Sequence, residues 1–143
     1  MMRAALAEAR RAGRAGEVPV GAAVALGARI LARAGNRTVR DADPTAHAEI
    51  IVLRRAARRV GNERLTGATL YATVEPCPMC AGAAVWARVA RVVYGARDPR
   101  AGAYGSALNL ARVKTLNHRP RVRGGVQAPA ARALLTDFFR ARR

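Results

Sequence analysis

No run in this sequence approaches the ~18 apolar residues of a bilayer-spanning helix. The opening MMRAALAEARRAG also lacks the continuous apolar stretch of a secretory signal. Membrane insertion and signal-directed secretion are therefore not expected. The hydrophobic share of 51% in turn excludes a disordered chain, so a soluble protein is. Cysteine is nearly absent. Only Cys77 and Cys80 occur, and a disulfide between them would close a very small loop, which excludes a secreted disulfide framework and fits a reducing, cytoplasmic compartment. Neither an internal repeat nor a low-complexity linker divides the 143 residues, so 1–143 reads as one domain. Lysine is the scarcest charge: Lys114 stands alone among 26 basic residues, set against 9 acidic ones. The resulting charge of +17 would draw the chain to a polyanion, nucleic acid first. An arginine- and alanine-rich composition is equally the product of a skewed genome, so charge alone leaves both readings open.

What is present alternates between helical and extended patterns, as in an α/β domain. Residues 2–14 carry Met2, Leu6 and Ala9 at helical spacing. The arginines there faintly resemble an organellar transit sequence, but Glu8 and the spacing favour an ordinary first helix. VGAAVAL (20–26) and RILARAG (29–35) read as a hairpin turning at Gly27 and Ala28. Asp43-Pro44-Thr45 predicts a helix start capped by Thr45, running to Gly61-Asn62. ATLYATVE (68–75) predicts a buried strand, Pro78 to Trp86 a second helix, and Arg91 to Tyr94 another strand. A glycine-rich loop (95–105), a short helix near 106–111, a strand near 121–126 and a helix from about 128 to 142 complete the chain.

Two motifs carry chemistry: His47-Ala48-Glu49, and Pro76 to Cys80, which reads PCPMC. Each is placed at the N-terminal end of a helix, where free N–H groups and the helix dipole favour developing negative charge. Cys-x-x-Cys puts two sulfurs where one Zn²⁺ can bridge them, and His47 supplies a third ligand. With no further cysteine, the fourth position falls to water or substrate, the pattern of a catalytic site. His118 could close the set instead, or simply be a satisfied loop histidine. Alone, Cys-x-x-Cys is equally a redox pair or two small buried hydrophobes. In this order the motifs form H-x-E…P-C-x-x-C, the pattern of zinc nucleobase deaminases. Zinc lowers the pKa of bound water from about 15.7 toward 7, which makes zinc-bound hydroxide the expected nucleophile, but protons must still be carried to the base and to the leaving amine. Glu49, two residues from a ligand, is the expected shuttle; its plainer reading is a glutamate favoured at a helix start.

EVPVGA (17–22), NR (36–37), DPTAHAEI (43–50), TLYATVEPCPMCAGA (69–83), VVYGARDPRAGAYGS (92–106), LNH (116–118) and DFFRARR (137–143) resemble the bacterial tRNA-specific adenosine deaminases along nearly the whole chain. The HAE and PCxxC motifs are common to all cytidine-deaminase-like enzymes; the GARDPRAGAYGS segment and the FFR-rich last helix resemble the tRNA member. The resemblance implies a cytidine deaminase-like three-layer α/β/α sandwich with a five-stranded mixed sheet. It also implies a homodimer, one zinc per chain, and conversion of the wobble adenosine of a tRNA anticodon stem-loop to inosine. Position by position it implies His47, Cys77 and Cys80 as zinc ligands and Glu49 as the acid/base. Asn36 and the backbone N–H of Ala48 would contact the flipped purine, and Asp98 the ribose of the preceding nucleotide. Phe138, Phe139 and Arg140 would lie along the anticodon loop. Asn36 and Asp98 could instead be turn residues, and the two phenylalanines could be core. QAPAARALL (127–135) departs from the family by lacking acidic and cysteine-bearing character, which puts the start of the last helix later than in relatives. The chain also ends at Arg143 without the longer tail of some members. Two other functions fit much of the motif set: a guanine or other free-base or nucleoside deaminase, and a non-catalytic zinc-stabilised RNA-binding module with a closed four-ligand site.

Overall fold

Alanine fills many of the apolar positions, and small side chains let helices settle close to a sheet. The computed structural model describes residues 1–143, and none of its helices is long and apolar enough to cross a membrane. Helix α1 (Met2–Arg14) buries Met2, Ala5, Leu6, Ala9 and Ala12 on one stripe. The hairpin β1 (Gly21–Leu26) and β2 (Arg29–Gly35) follows, antiparallel and bulged between Val24 and Ala25. Gly21 and Gly35 face each other in its register, directly beneath α1. A Cβ on Gly21 would overlap the Ala5 carbonyl oxygen, and one on Gly35 would lie 2.7 Å from that of Glu8. Only glycine at both positions allows the helix so near the strands.

Helix α2 (Ala48–Val60), strand β3 (Thr69–Val74), helix α3 (Pro78–Trp86) and strand β4 (Arg91–Ala96) come next. Strand β5 (Arg121–Arg123) and helix α4 (Ala128–Arg140) end the chain. The sheet order is β2-β1-β3-β4-β5, antiparallel on the hairpin side and parallel from β3 to β5. Helices α1 and α4 lie on one face, α2 and α3 on the other, which is the three-layer α/β/α sandwich with a mixed five-stranded sheet. The main core, including Val24, Val52, Leu53, Leu70, Ala81 and Val92, lies between the sheet and α2/α3; a smaller cluster of Met2, Ala5, Leu6, Ala96 and Ala131 lies on the other side.

The structure corrects three local expectations. Thr45 does not cap α2, because its N–H and hydroxyl both donate to Asp43 Oδ1, at 2.8 and 2.7 Å. The helix begins at Ala48, after His47 in extended conformation (φ −69°, ψ 149°). In place of a helix at 106–111 there is one 3₁₀ turn, Leu110–Arg112, capped by the Asn109 side chain. The last strand stops at Arg123, since Gly124 passes against the Tyr94 ring and Gly125 turns the chain at φ +83°.

Candidate active site

Two chain reversals meet at the C-terminal end of β3, and each starts a helix with a reactive residue. His47 is the last residue before α2; Cys77, also extended, is the last before α3, and Pro78 opens that helix without needing an N–H partner. Within the first turn of each helix, Glu49 and Cys80 are buried. His47 Nδ1 lies 3.6 Å from Cys77 Sγ and 3.5 Å from Cys80 Sγ, and the three ligand atoms all fall within 4.8 Å of one another. A tetrahedral ion bonded at ~2.3 Å to sulfur and ~2.0–2.1 Å to nitrogen separates the nitrogen from each sulfur by roughly 3.5–3.6 Å. The three side chains therefore fit one metal ion. His118 is not among them: its Nε2 lies 2.7 Å from the Val89 carbonyl oxygen.

Crowding sets the protonation of this group. Its contact with the Cys80 thiol, and then with His47, brings the Cys77 thiol down to about 4, while the same contact and burial push Cys80 up. Hydrogen bonding to Cys77 raises His47. Burial raises the Glu49 carboxyl, which favours proton uptake, and its Oε2 is buried with no hydrogen-bond partner. An acceptor left open beside three converging ligand atoms suits a carboxylate that exchanges protons with a bound molecule.

Asn36, Thr38, His47, Glu49, Cys77 and Asp98 are among the residues around a cleft of ≈ 230 Å³. Asn36 Nδ2 donates to Glu17 (3.4 Å) and Thr38 (3.3 Å), which leaves its Oδ1 without a protein partner. Ala48 is fully buried at the first position of α2, where its N–H has no intrahelical acceptor. Asp98 lies on the rim and also shapes its own turn, its Oδ1 accepting the N–H groups of Arg100 and Ala101. Phe139 and Arg140 are outside the cleft. Phe139 is half exposed and meets Phe138 edge-on; Phe138 packs near Gly13, Pro19 and Leu134 beneath the Arg142 guanidinium.

Two residues with no role assigned from the sequence organise this cleft. Glu17, fully buried, accepts from the backbone of Val39 (3.2 Å) and Arg40 (2.7 Å) and from Thr38 and Asn36. Glu75, 2% exposed, accepts from the backbone of Asp98, Tyr104 and Ser106 at 3.0–3.1 Å and from the Ser106 hydroxyl. Burial alone would raise the Glu75 carboxyl, but the Ser106 hydroxyl and the three N–H groups outweigh it and hold it below the ordinary range. The signal for both was a lone carboxylate bordering an apolar stretch, VPV after Glu17 and LYATV before Glu75.

The MafB19-like deaminase family matches residues 1–143. A tRNA-specific adenosine deaminase of Agrobacterium fabrum is 48% identical over 142 residues, 99% of this chain and 93% of that protein. The chain belongs to the tRNA-specific adenosine deaminases. A solved structure from work on A-to-I editing by tRNA:A34 deaminases at the wobble position superposes on this member with a TM-score of 0.91 at 48% identity, covering 94% of this chain and 97% of that one. A guanine deaminase of Nitrosomonas europaea shares the fold more distantly, with a TM-score of 0.81 at 28% identity over 96% of this chain and 81% of its own.

Proposed function

We propose that residues 1–143 form a single deaminase domain that converts the wobble adenosine of a tRNA anticodon loop to inosine by hydrolysis, with one zinc ion per chain. The observation that carries this is the ligand triangle of His47, Cys77 and Cys80 with the unpartnered Glu49 oxygen beside it. It stands in a chain 48% identical to a tRNA-specific adenosine deaminase. Zinc held by His47, Cys77 and Cys80 would supply an activated water. Glu49 takes a proton from the water as its oxygen bonds to C6, passes it to the ring nitrogen, and then moves the second proton to the amino group, so that the C6–N6 bond breaks and ammonia leaves. Burial of Glu49 supports this role because it raises the affinity of the carboxylate for the proton in transit.

Asn36 and the Ala48 N–H hold the purine at the cleft wall, and Asp98 accepts a hydrogen bond from the ribose of the preceding nucleotide. Phe139 and Arg140, exposed on α4, lie along the anticodon loop. The protein works in the cytoplasm as a homodimer; Trp86, 73% exposed at the end of α3, is an apolar side chain that a second copy would cover. The second reading, guanine deamination, is favoured by the fold shared with the Nitrosomonas enzyme, but a free base leaves the +17 charge to genome composition alone. One assay separates them: inosine and ammonia from a synthetic anticodon stem-loop, measured beside xanthine from free guanine. Turnover of the stem-loop alone supports the proposal; faster turnover of guanine replaces it.

A further inference from the structure

A second cleft, of ≈ 170 Å³, adjoins the first, and Asn36 lines both. Its walls carry Arg11 from α1, Arg37 and Arg40 from the loop after β2, and Arg55 from α2, with Glu8 the one acid among them. Three of these guanidinium groups are aimed rather than loose. Arg11 is held by Glu8 at 2.9 Å, Arg37 forks onto Asp41 at 2.8–3.1 Å, and Arg55 donates to the Arg33 carbonyl at 3.2 Å. Arg40 has no side-chain partner, but its backbone N–H is pinned by Glu17 at 2.7 Å. A guanidinium has five donors, so each keeps several for a ligand. Arg11 shares Glu8 with Arg33, and Arg37 is paired with Asp41; Arg40 and Arg55 form no ion pair, and the Asp41 carboxylate reaches them only beyond contact distance.

We propose that this cleft is a phosphodiester subsite, which takes the RNA backbone beside the nucleotide whose base enters the Asn36 cleft. The proposal rests on the RNA-deaminase reading. A base turned out of its stack brings its flanking phosphates to the rim of the pocket, and arginine forks match phosphate oxygens in pairs. Such contacts fix the strand in register and carry no sequence information, which suits a wall next to a base-reading asparagine. Other arginines also face grooves, for example Arg91, Arg121 and Arg123 along β4 and β5. Arg91 pairs with Thr69 at the start of β3, whereas the catalytic cleft lies beyond Val74 at its other end. That second group is therefore a built-in control for mere positive charge.

The test compares Arg40→Gln/Arg55→Gln with Arg121→Gln/Arg123→Gln, two exposed pairs that remove the same formal charge. The probe is the product stem-loop carrying inosine, which is not turned over, bound to full-length protein across a salt series. Zinc content and Tm serve as checks of folding. For the Arg40/Arg55 pair the slope of log K against log salt falls by about one unit per arginine, with affinity at physiological salt down on the order of tenfold. The Arg121/Arg123 pair changes the slope by clearly less. Equal slopes for the two pairs, or an unchanged slope for Arg40/Arg55, overturn the subsite. Inosine formation by the unsubstituted protein is scored separately: its absence removes the deaminase reading, while the slope comparison still judges the cleft. A protein that binds no stem-loop overturns both.

Discussion

The floor and the rim of the cleft are built on different principles. On the floor, His47, Glu49, Cys77 and Cys80 stand at the first turns of two helices, so their positions follow from regular backbone packed into the main core. The rim is loop, residues 36–43 and 97–106, with no ladder to hold it. Each loop is instead gathered around one buried carboxylate, Glu17 or Glu75, which accepts several hydrogen bonds. A carboxylate offers about four lone-pair sites, enough to satisfy one loop's inward donors. Under the proposed function the difference separates two tasks: the groups assigned to the chemistry are placed by rigid elements, while those assigned to substrate choice are placed by loops with a fixed inner anchor.

The sharpest way to break this division is at the floor. Cys80→Ala, at a fully buried proposed ligand, is expected to lose zinc and activity together and to lower Tm, since the ion would tie α2 to α3. Metal analysis that finds full occupancy sinks the ligand assignment. Glu49→Gln comes next. Metal and stem-loop binding should stay, while the rate under saturating RNA falls by about 10⁴, the upper range for an acid–base group, because one residue serves several transfers. A rate within tenfold of the parent would move the proton chemistry elsewhere.

Rim substitutions should cost less and spare the metal. In Glu75→Gln or Glu17→Gln, an amide nitrogen replaces an oxygen and points a donor at backbone donors. An acceptor lost in a buried site costs about 1–3 kcal/mol. A fall of roughly 10- to 100-fold in kcat/KM with unchanged zinc content is expected, larger for Glu75, which accepts from three backbone N–H groups where Glu17 accepts from two. Loss of zinc in either variant would show that floor and rim are not separable. The smallest effect belongs to Asp98→Asn. Its Oδ1 can still hold the turn at Arg100 and Ala101, so the fold survives. Preference for an RNA over a DNA stem-loop of identical sequence should shrink by a few-fold to tenfold, the worth of one hydrogen bond to a 2′-hydroxyl. An unaltered preference removes Asp98 from ribose recognition.

The floor was legible in the sequence because metal ligation demands fixed residue types at fixed spacing, and HAE and PCPMC supply both. Elements with strong periodicity, such as α1 and β3, fell where the pattern placed them, as did the face α2 turns to the core. Its start did not, because Thr45 has two uses for its hydroxyl, and the choice of Asp43 over the helix depends on where Pro44 sends the chain. The end of β5 depends on Tyr94, about thirty residues away, and no local pattern reports that contact. Glu17 and Glu75 escaped notice for the same reason: their partners are backbone N–H groups of distant loops, which every sequence has. Asp98 shows why the two readings of a rim residue need not compete, since one carboxyl oxygen builds the turn and the other remains for a ligand.

The facing pair Gly21 and Gly35 has a consequence for how the molecule opens. With no Cβ between them, the backbone of α1 rests almost on the backbone of the hairpin, and no layer of side chains lies there to loosen first. An N-terminal helix is ordinarily the first segment to fray. Here the amides of Ala5 to Ala12 on α1 should exchange with deuterium in step with those of β1 and β2, at one common opening free energy. The first helix and the first hairpin would then form a single cooperative unit of local unfolding.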